Sequence, residues 1–382
     1  MRVLHVIPSV SERSGGPGVA IVPMCLALQA QGIEVVLVAT DAGLRKLETA
    51  CAMDHEGVPA IFFPSQLGES FKYSRPLSVW LNQNVHAFDV AHIHAVFNHA
   101  SVAAASECRK ARVPYVIRPL GTLDPWSMKQ KSLRKRLFWS LVGKTMMSGA
   151  AAVHYTAQTE KTATEALLGV NHGRVIPLGI DPIAMPGNGA CRDRSRNRYV
   201  LVLSRLHPKK GLDVLIDAFS ALTRRPEFEQ WQLIVAGDGP ADYVAMLKQK
   251  AANAGDKIVF TGWLDGPRKE EVLSNASLLA LPSYQENFGL CVMESLARSV
   301  PVLISPHVNL AGEIEAANAG WIAEVESQAL ATKLAEALSD PDELSKRGRA
   351  GQLLSQNYSW ERVAGSLAQL YHEITNGGAR LH

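Results

Sequence analysis

From its first residues to about Leu303 the chain repeats one alternation, a short apolar run rich in β-branched residues followed by a stretch with helical spacing. Arg2–Ile7, Glu34–Thr40 and Val113–Ile117 read as buried strands, with helices over Val19–Gln31 and Ser101–Arg112 between them. Strands that are apolar on both faces and joined by helical crossovers form parallel sheets covered on both sides. The pattern breaks at residues 177–198, where Pro177, Pro182, Pro186, Gly187 and Gly189 lead into a polar run ending at Arg198. This is the composition of a linker. The alternation then restarts with strand Tyr199–Leu203, helix Gly211–Leu222 and strand Trp231–Ala236. Helices over Gln328–Leu338, Asp342–Asn357 and Trp360–Thr375 close the chain. The expectation is two doubly wound halves, residues 1–180 and 195–358, followed by a final helical segment, 360–382.

A chain of 382 residues can bury two separate cores, and 20% charged residues is a globular balance. The net charge of +3 gives no general case for nucleic acid. Cys25, Cys51, Cys108, Cys191 and Cys291 form no C-x-x-C pair, so neither a zinc site nor a disulfide framework is expected. The first apolar run is short and meets Pro8, which does not suit a signal peptide, and no window approaches the ~18 apolar residues of a membrane span. A soluble, cytoplasmic chain is expected, with room for association at the inner face of a membrane.

In open parallel sheets ligands bind beyond the carboxyl ends of the strands. Ser14-Gly-Gly-Pro-Gly18 follows the first strand and opens a helix, so Gly15 and Gly16 can bring backbone N–H groups to a phosphate. The spacing is not G-x-G-x-x-G, which speaks against a nicotinamide enzyme. Ser204-Arg-Leu-His-Pro-Lys-Lys-Gly211 follows the first strand of the second half and places Arg205 and Lys210 on one loop, read as exposed. Cations there can hold the charge that develops on a departing diphosphate, a task otherwise given to a metal. Ser283-Tyr-Gln-Glu-Asn-Phe-Gly-Leu-Cys-Val-Met-Glu294 follows strand Ser277–Leu281 and opens a helix near Phe288. Its carboxylates, Glu286 before the helix and Glu294 on it, can accept hydrogen bonds from a sugar and a ribose.

Together these motifs resemble the retaining glycosyltransferases of family 4, over nearly the whole chain. Glu286 and Glu294 match the E-x7-E signature, Arg205 and Lys210 the phosphate-binding pair, Gly15 and Gly16 the first-loop glycines, and Leu233-Ile-Val-Ala-Gly-Asp-Gly-Pro240 the second-domain turn. The resemblance implies a GT-B architecture of two Rossmann-like domains facing a cleft, with the chain end crossing back onto the first. It also implies a UDP- or GDP-linked hexose as donor, transfer with retention, and no metal. Arg205, Lys210, Glu286 and His94 would be catalytic. Gly15, Gly16, Gly237, Asn287, Phe288, Gly289, Leu290 and Glu294 would bind the donor. Arg118, Asp124 and Trp126, in a loop similar to one in members that build surface polysaccharides, and Glu160 would face a glycan or lipid-linked acceptor. For His92 a place in the core, or behind the residues that touch the sugar, is expected. The sequence departs from the family where Arg298-Ser-Val-Pro301 and Pro306-His-Val-Asn-Leu-Ala-Gly-Glu313 stand, beside the donor.

Two readings stay open. A nucleotide-sugar epimerase would share the architecture. Residues 129–142 combine Lys129, Lys131, Arg134, Lys135 and Arg136 with a stripe of Leu133, Leu137 and Leu141, which either packs inward or lies on an anionic membrane.

Overall fold

A computed structural model describes residues 1–11, 15–67, 71–124, 127–128, 132–169, 171–181 and 198–377. The chain divides into two compact units, Met1–Gly179 with Trp360–His382, and Ile180–Ser359. Most of the linker and Trp126 lie outside the described residues.

The first unit is built on eight strands: β1 (Arg2–Ile7), β2 (Glu34–Thr40), β3 (Cys51–His55), β4 (Val58–Phe63), β5 (Val90–His94), β6 (Tyr115–Arg118), β7 (Ala152–Tyr155) and β8 (Gly173–Val175). Their order is β3-β4-β2-β1-β5-β6-β7-β8, and every pairing but β3–β4 is parallel. The β3–β4 hairpin turns at Glu56-Gly57, both at positive φ, the two-residue turn whose twist suits a hairpin. Leu4, Val6, Ala91, Ile93, Ile117 and Val153 point to one face, where helices Arg75–Asn84 and His99–Ala111 cover them. On the other face lie helix Gly16–Ala30 and the last helix, Trp360–Asn376, which pack on each other.

The second unit carries β9 (Tyr199–Leu203), β10 (Gln232–Ala236), β11 (Ile258–Gly262), β12 (Leu278–Leu281), β13 (Val302–Ile304) and β14 (Gly320–Ile322), all parallel, in the order β11-β10-β9-β12-β13-β14. Its core joins these strands to helices Leu212–Leu222 and Ser327–Ser339. In both sheets the connection direction reverses beside the first strand, between β1 and β5 and between β9 and β12. Such a reversal parts the loops above the strands and leaves a crevice there.

Candidate active site

The loops that follow β9 and β12 flank the reversal of the second unit, and two glycines let them meet. Gly211 sits at φ 64°, and a Cβ there would stand 2.3 Å from the Pro282 carbonyl oxygen. Gly237, at φ 145° just after β10, would place a Cβ 1.8 Å from the Ser204 carbonyl oxygen. Both positions are closed to any side chain. Gly237 thus shapes the loop that bears the cations. The Tyr284 N–H donates to the Lys209 carbonyl at 2.8 Å, and Glu286 is stitched to the loop after β13 through His307 O and Asn309 N, each at 3.0 Å. The departing segment Pro306–Glu313 therefore borders this site.

Across that junction the Lys210 ammonium donates to Glu286 Oε2, both side chains more than four-fifths buried. Burial alone would raise the Glu286 pKa, but the Lys210 charge and hydrogen bond, the Lys209 charge and the Asn287 N–H outweigh it and leave it lowered. Burial, with Arg205, Lys209 and Lys210 nearby, also lowers the pKa of His207, so the loop keeps a positive field with a neutral imidazole inside it. Arg205 is exposed. Of the two cations expected on an exposed loop only Arg205 is exposed, because Lys210 folds back onto Glu286.

Gly289, at φ 75°, precedes helix Leu290–Ala297, which begins two residues later than the sequence suggested. Phe288 points into the core against Tyr358, so its side chain is structural. Asn287 receives a 3.4 Å contact from Asn309 Nδ2, and Leu290 is half-buried. Glu294 pairs with Lys269 at 2.8 Å, and a ribose diol would have to share that carboxylate. Cys291 stands on the same helix, its thiol pushed up to about 12 by burial.

In the first unit Gly15 is the residue before helix Gly16–Ala30, with no side chain capping the turn. Of the first-unit acceptor candidates, Arg118 and Glu160 are buried. Glu160 is buried, and its carboxylate accepts from Gly121 N and Thr156 N, both at 2.8 Å, so it positions the loop after β6 from inside. Asp124 ends the described part of that loop, half-buried. Arg118 is fully buried; its Nη1 faces Met24 Sδ at 3.7 Å while Nε and Nη2 meet no acceptor among the described residues. Burial lowers its pKa to about 10 against the pull of Glu160, Tyr371 and Cys25, and the group stays cationic. Unmatched guanidinium donors in a dry setting favour an anion. Beside this strand end Ala95 (φ 71°) and Leu120 (φ 61°) hold left-handed backbone that side chains seldom adopt, a strain that collects at functional sites.

His94 is also fully buried, no more open than His92. It belongs to a cluster that spacing along the chain could not show, since His5, His92 and His94, and His154, come from β1, β5 and β7. His154 Nε2 faces the Ile176 carbonyl at 2.7 Å and must donate to it. Its Nδ1 therefore accepts from His92 Nε2 at 3.2 Å, and His92 Nδ1 accepts from the Tyr371 hydroxyl at 2.7 Å. His5 Nδ1 and His94 Nε2 share a 3.1 Å contact, leaving His5 Nε2 and His94 Nδ1 without partners among the described residues. Burial, then the Arg118 charge, lowers the His5 pKa to about 3; burial does the same to His154, and His92 and His94 are held well below the usual range. Ring nitrogens of His5, His92 and His94 lie within 4.8 Å of one another, the grouping of a metal site. It suits one poorly: both nitrogens of His92 are engaged, and Arg118 opposes a second cation.

Two family descriptions match the chain, Glycosyl transferase 4-like domain over residues 15–179 and Glycosyl transferases group 1 over 192–354. Among curated relatives, a D-inositol 3-phosphate glycosyltransferase of Corynebacterium efficiens is 30% identical over 217 residues, covering 53% of this chain and 51% of that protein. A GDP-mannose-dependent alpha-(1-6)-phosphatidylinositol monomannoside mannosyltransferase of Mycobacterium tuberculosis is 28% identical over 211 residues, 50% of this chain and 54% of the relative. The chain thus spans about half the length of the curated relatives it matches. Among solved structures, sucrose-phosphate synthase from Thermosynechococcus elongatus superposes with a TM-score of 0.78 at 20% identity, covering 99% of this chain and 100% of the other. Anabaena HepE in complex with UDP and glucose does so with a TM-score of 0.74 at 22% identity, over 97% and 99%. At such identities the likeness speaks for the GT-B fold.

Proposed function

Because the chain belongs to the group 1 glycosyl transferases, we propose that it transfers a hexose from a nucleotide-diphosphate sugar to a glycan or lipid-linked acceptor, with retention and without a metal. The observation that carries this reading is the Lys210–Glu286 pair above the reversal between β9 and β12, with Arg205 on the same loop. A diphosphate seated there draws the Lys210 ammonium toward its oxygens and frees the Glu286 carboxylate to accept from a sugar hydroxyl. As the anomeric C–O bond breaks, its electron pair passes to the diphosphate oxygen, and the charge falls on Arg205 and Lys210. The acceptor hydroxyl attacks from the face being vacated and gives its proton to that oxygen, so the product is α-linked. Surface polysaccharide or glycolipid synthesis is the setting that fits such a product.

On the first unit Arg118, with two unmatched donors, is the acceptor-side residue we favour, and Glu160 positions its loop. His94, neutral and buried, would act by contact with the sugar rather than as a base. HepE is described in complex with UDP and glucose, and the mycobacterial relative as GDP-mannose-dependent, so both bases stay in range for the donor.

The test is a thermal-shift screen with UDP- and GDP-hexoses side by side, followed by product analysis. We expect one base to raise the melting temperature in a dose-dependent way. Stabilisation by neither would remove the donor from the proposal, and interconversion of the donor sugar without an acceptor would replace transfer by epimerisation.

A further inference from the structure

Residues 132–148 form one helical run, Ser132–Phe138, a wider π-turn over Trp139–Gly143, and Lys144–Ser148. Its inner side is anchored. Phe138 packs on Phe97 with ring centroids 5.1 Å apart, Lys135 Nζ donates to the Ser127 carbonyl, Met146 and Met147 are buried, and Tyr115 donates to the Met146 carbonyl at 2.8 Å. The outer side carries what a surface helix ordinarily hides. Leu133, Leu137 and Leu141 are 81%, 60% and 70% exposed, one turn apart on a single stripe. At about 100° per residue Leu133 and Leu137 lie about 40° apart on the α-helical part, Leu141 follows in the π-turn, and Arg134 and Arg136 stand to either side. Both arginines and Lys144 are exposed. Between Asp124 and Glu160 the sequence has six Lys and Arg (Lys129, Lys131, Arg134, Lys135, Arg136, Lys144) and no acidic residue, in a chain whose net charge is only +3.

We infer that this face docks on an anionic lipid surface. The occupant has to accept three aliphatic side chains in a row and answer the positive charge beside them, and hydrocarbon beneath acidic headgroups does both. A second copy of the chain fits the leucines but would bring like charges together. Nucleic acid would answer the charge and leave the leucines in water, and among the described residues no exposed aromatic side chain on this face offers a base a stacking partner. The inference does not depend on the transfer reaction, since it concerns where the first unit sits and not what the second unit binds.

The experiment is co-sedimentation of the full chain with sucrose-loaded vesicles, of phosphatidylcholine alone or with about one-third phosphatidylglycerol, at low and high salt. The chain should pellet with the acidic vesicles, remain in solution with the neutral ones, and be released by salt. Leu133→Ser/Leu137→Ser/Leu141→Ser and, separately, Arg134→Gln/Arg136→Gln should each weaken partitioning on the order of tenfold without lowering the melting temperature. Equal partitioning of wild type and triple variant would overturn the inference. So would absence from acidic vesicles, a drop in melting temperature showing that the leucines pack internally, or a dimer in ultracentrifugation that the triple variant abolishes.

Discussion

Lys210 and Arg205 share a loop but not an environment, and substitution should separate them. Either residue changed to alanine removes a cation from the departing diphosphate, so turnover should fall about 10²–10³-fold in both. Melting temperature should fall only in Lys210→Ala, which strands a mostly buried Glu286 carboxylate; Arg205→Ala should melt like wild type. Turnover and melting curves on the two variants check this, and wild-type turnover in a folded variant would contradict it. The buried histidines give a second expectation. In the unfolded chain each takes up a proton near pH 6.5, whereas His5 and His154 in the folded unit resist until about pH 3, and His92 and His94 are depressed in the same direction. The stability this provides is complete above pH 6.5 and is lost as pH falls from there toward 3, each histidine contributing up to about 1.4 kcal/mol per pH unit. Melting curves from pH 7.5 to 4 should show the loss, and replacing His154 with Gln should flatten it. Lys210, Arg205 and Glu286 were legible as loop residues because the loops that hold them follow β9 and β12, neighbouring strands whose loops topology brings together. The histidine cluster was not, because its members are apolar-strand residues from three distant segments that meet only when β1, β5, β6 and β7 align.

At the scale of elements, the last helix decides the integrity of the first unit. Val363, Leu367 and Leu370 turn inward together, and Tyr371 brings its hydroxyl to His92. Removing residues 360–382 would open the sheet face that holds His5, His92, His94 and Arg118 and take from His92 its Tyr371 hydroxyl. Truncated chain should therefore lose its first unit to limited proteolysis while fragments of the second survive; equal protection of both would refute this role. That the helix has one buried face was readable from its spacing. The β3–β4 hairpin was not: Cys51–His55 is an edge strand with almost every side chain exposed, so no burial pattern marks it. The stripe at Leu133, Leu137 and Leu141 was readable as a stripe, but its outward direction depends on Phe97 holding Phe138 on the opposite side.

Taken whole, the chain is two sheets, one wholly parallel and one parallel except at its β3 edge, each with its informative loops beside the reversal next to its first strand. Alternating apolar runs and a polar linker announced this, since strands buried on both faces leave an unmistakable composition. Donor base, acceptor and linkage belong to side chains lining a bound molecule, and nothing in periodicity encodes them. In the proposed mechanism fixed cations of the second unit, without a metal, carry the departure of a nucleotide diphosphate. The most direct measurement is nucleotide-diphosphate release from a panel of UDP- and GDP-hexoses in excess EDTA, for wild type and Lys210→Ala. Release is expected from one donor class at an undiminished rate in EDTA, falling about 10²–10³-fold in the variant. Release that stops in EDTA and returns with magnesium or manganese, or that proceeds unchanged in Lys210→Ala, would contradict it.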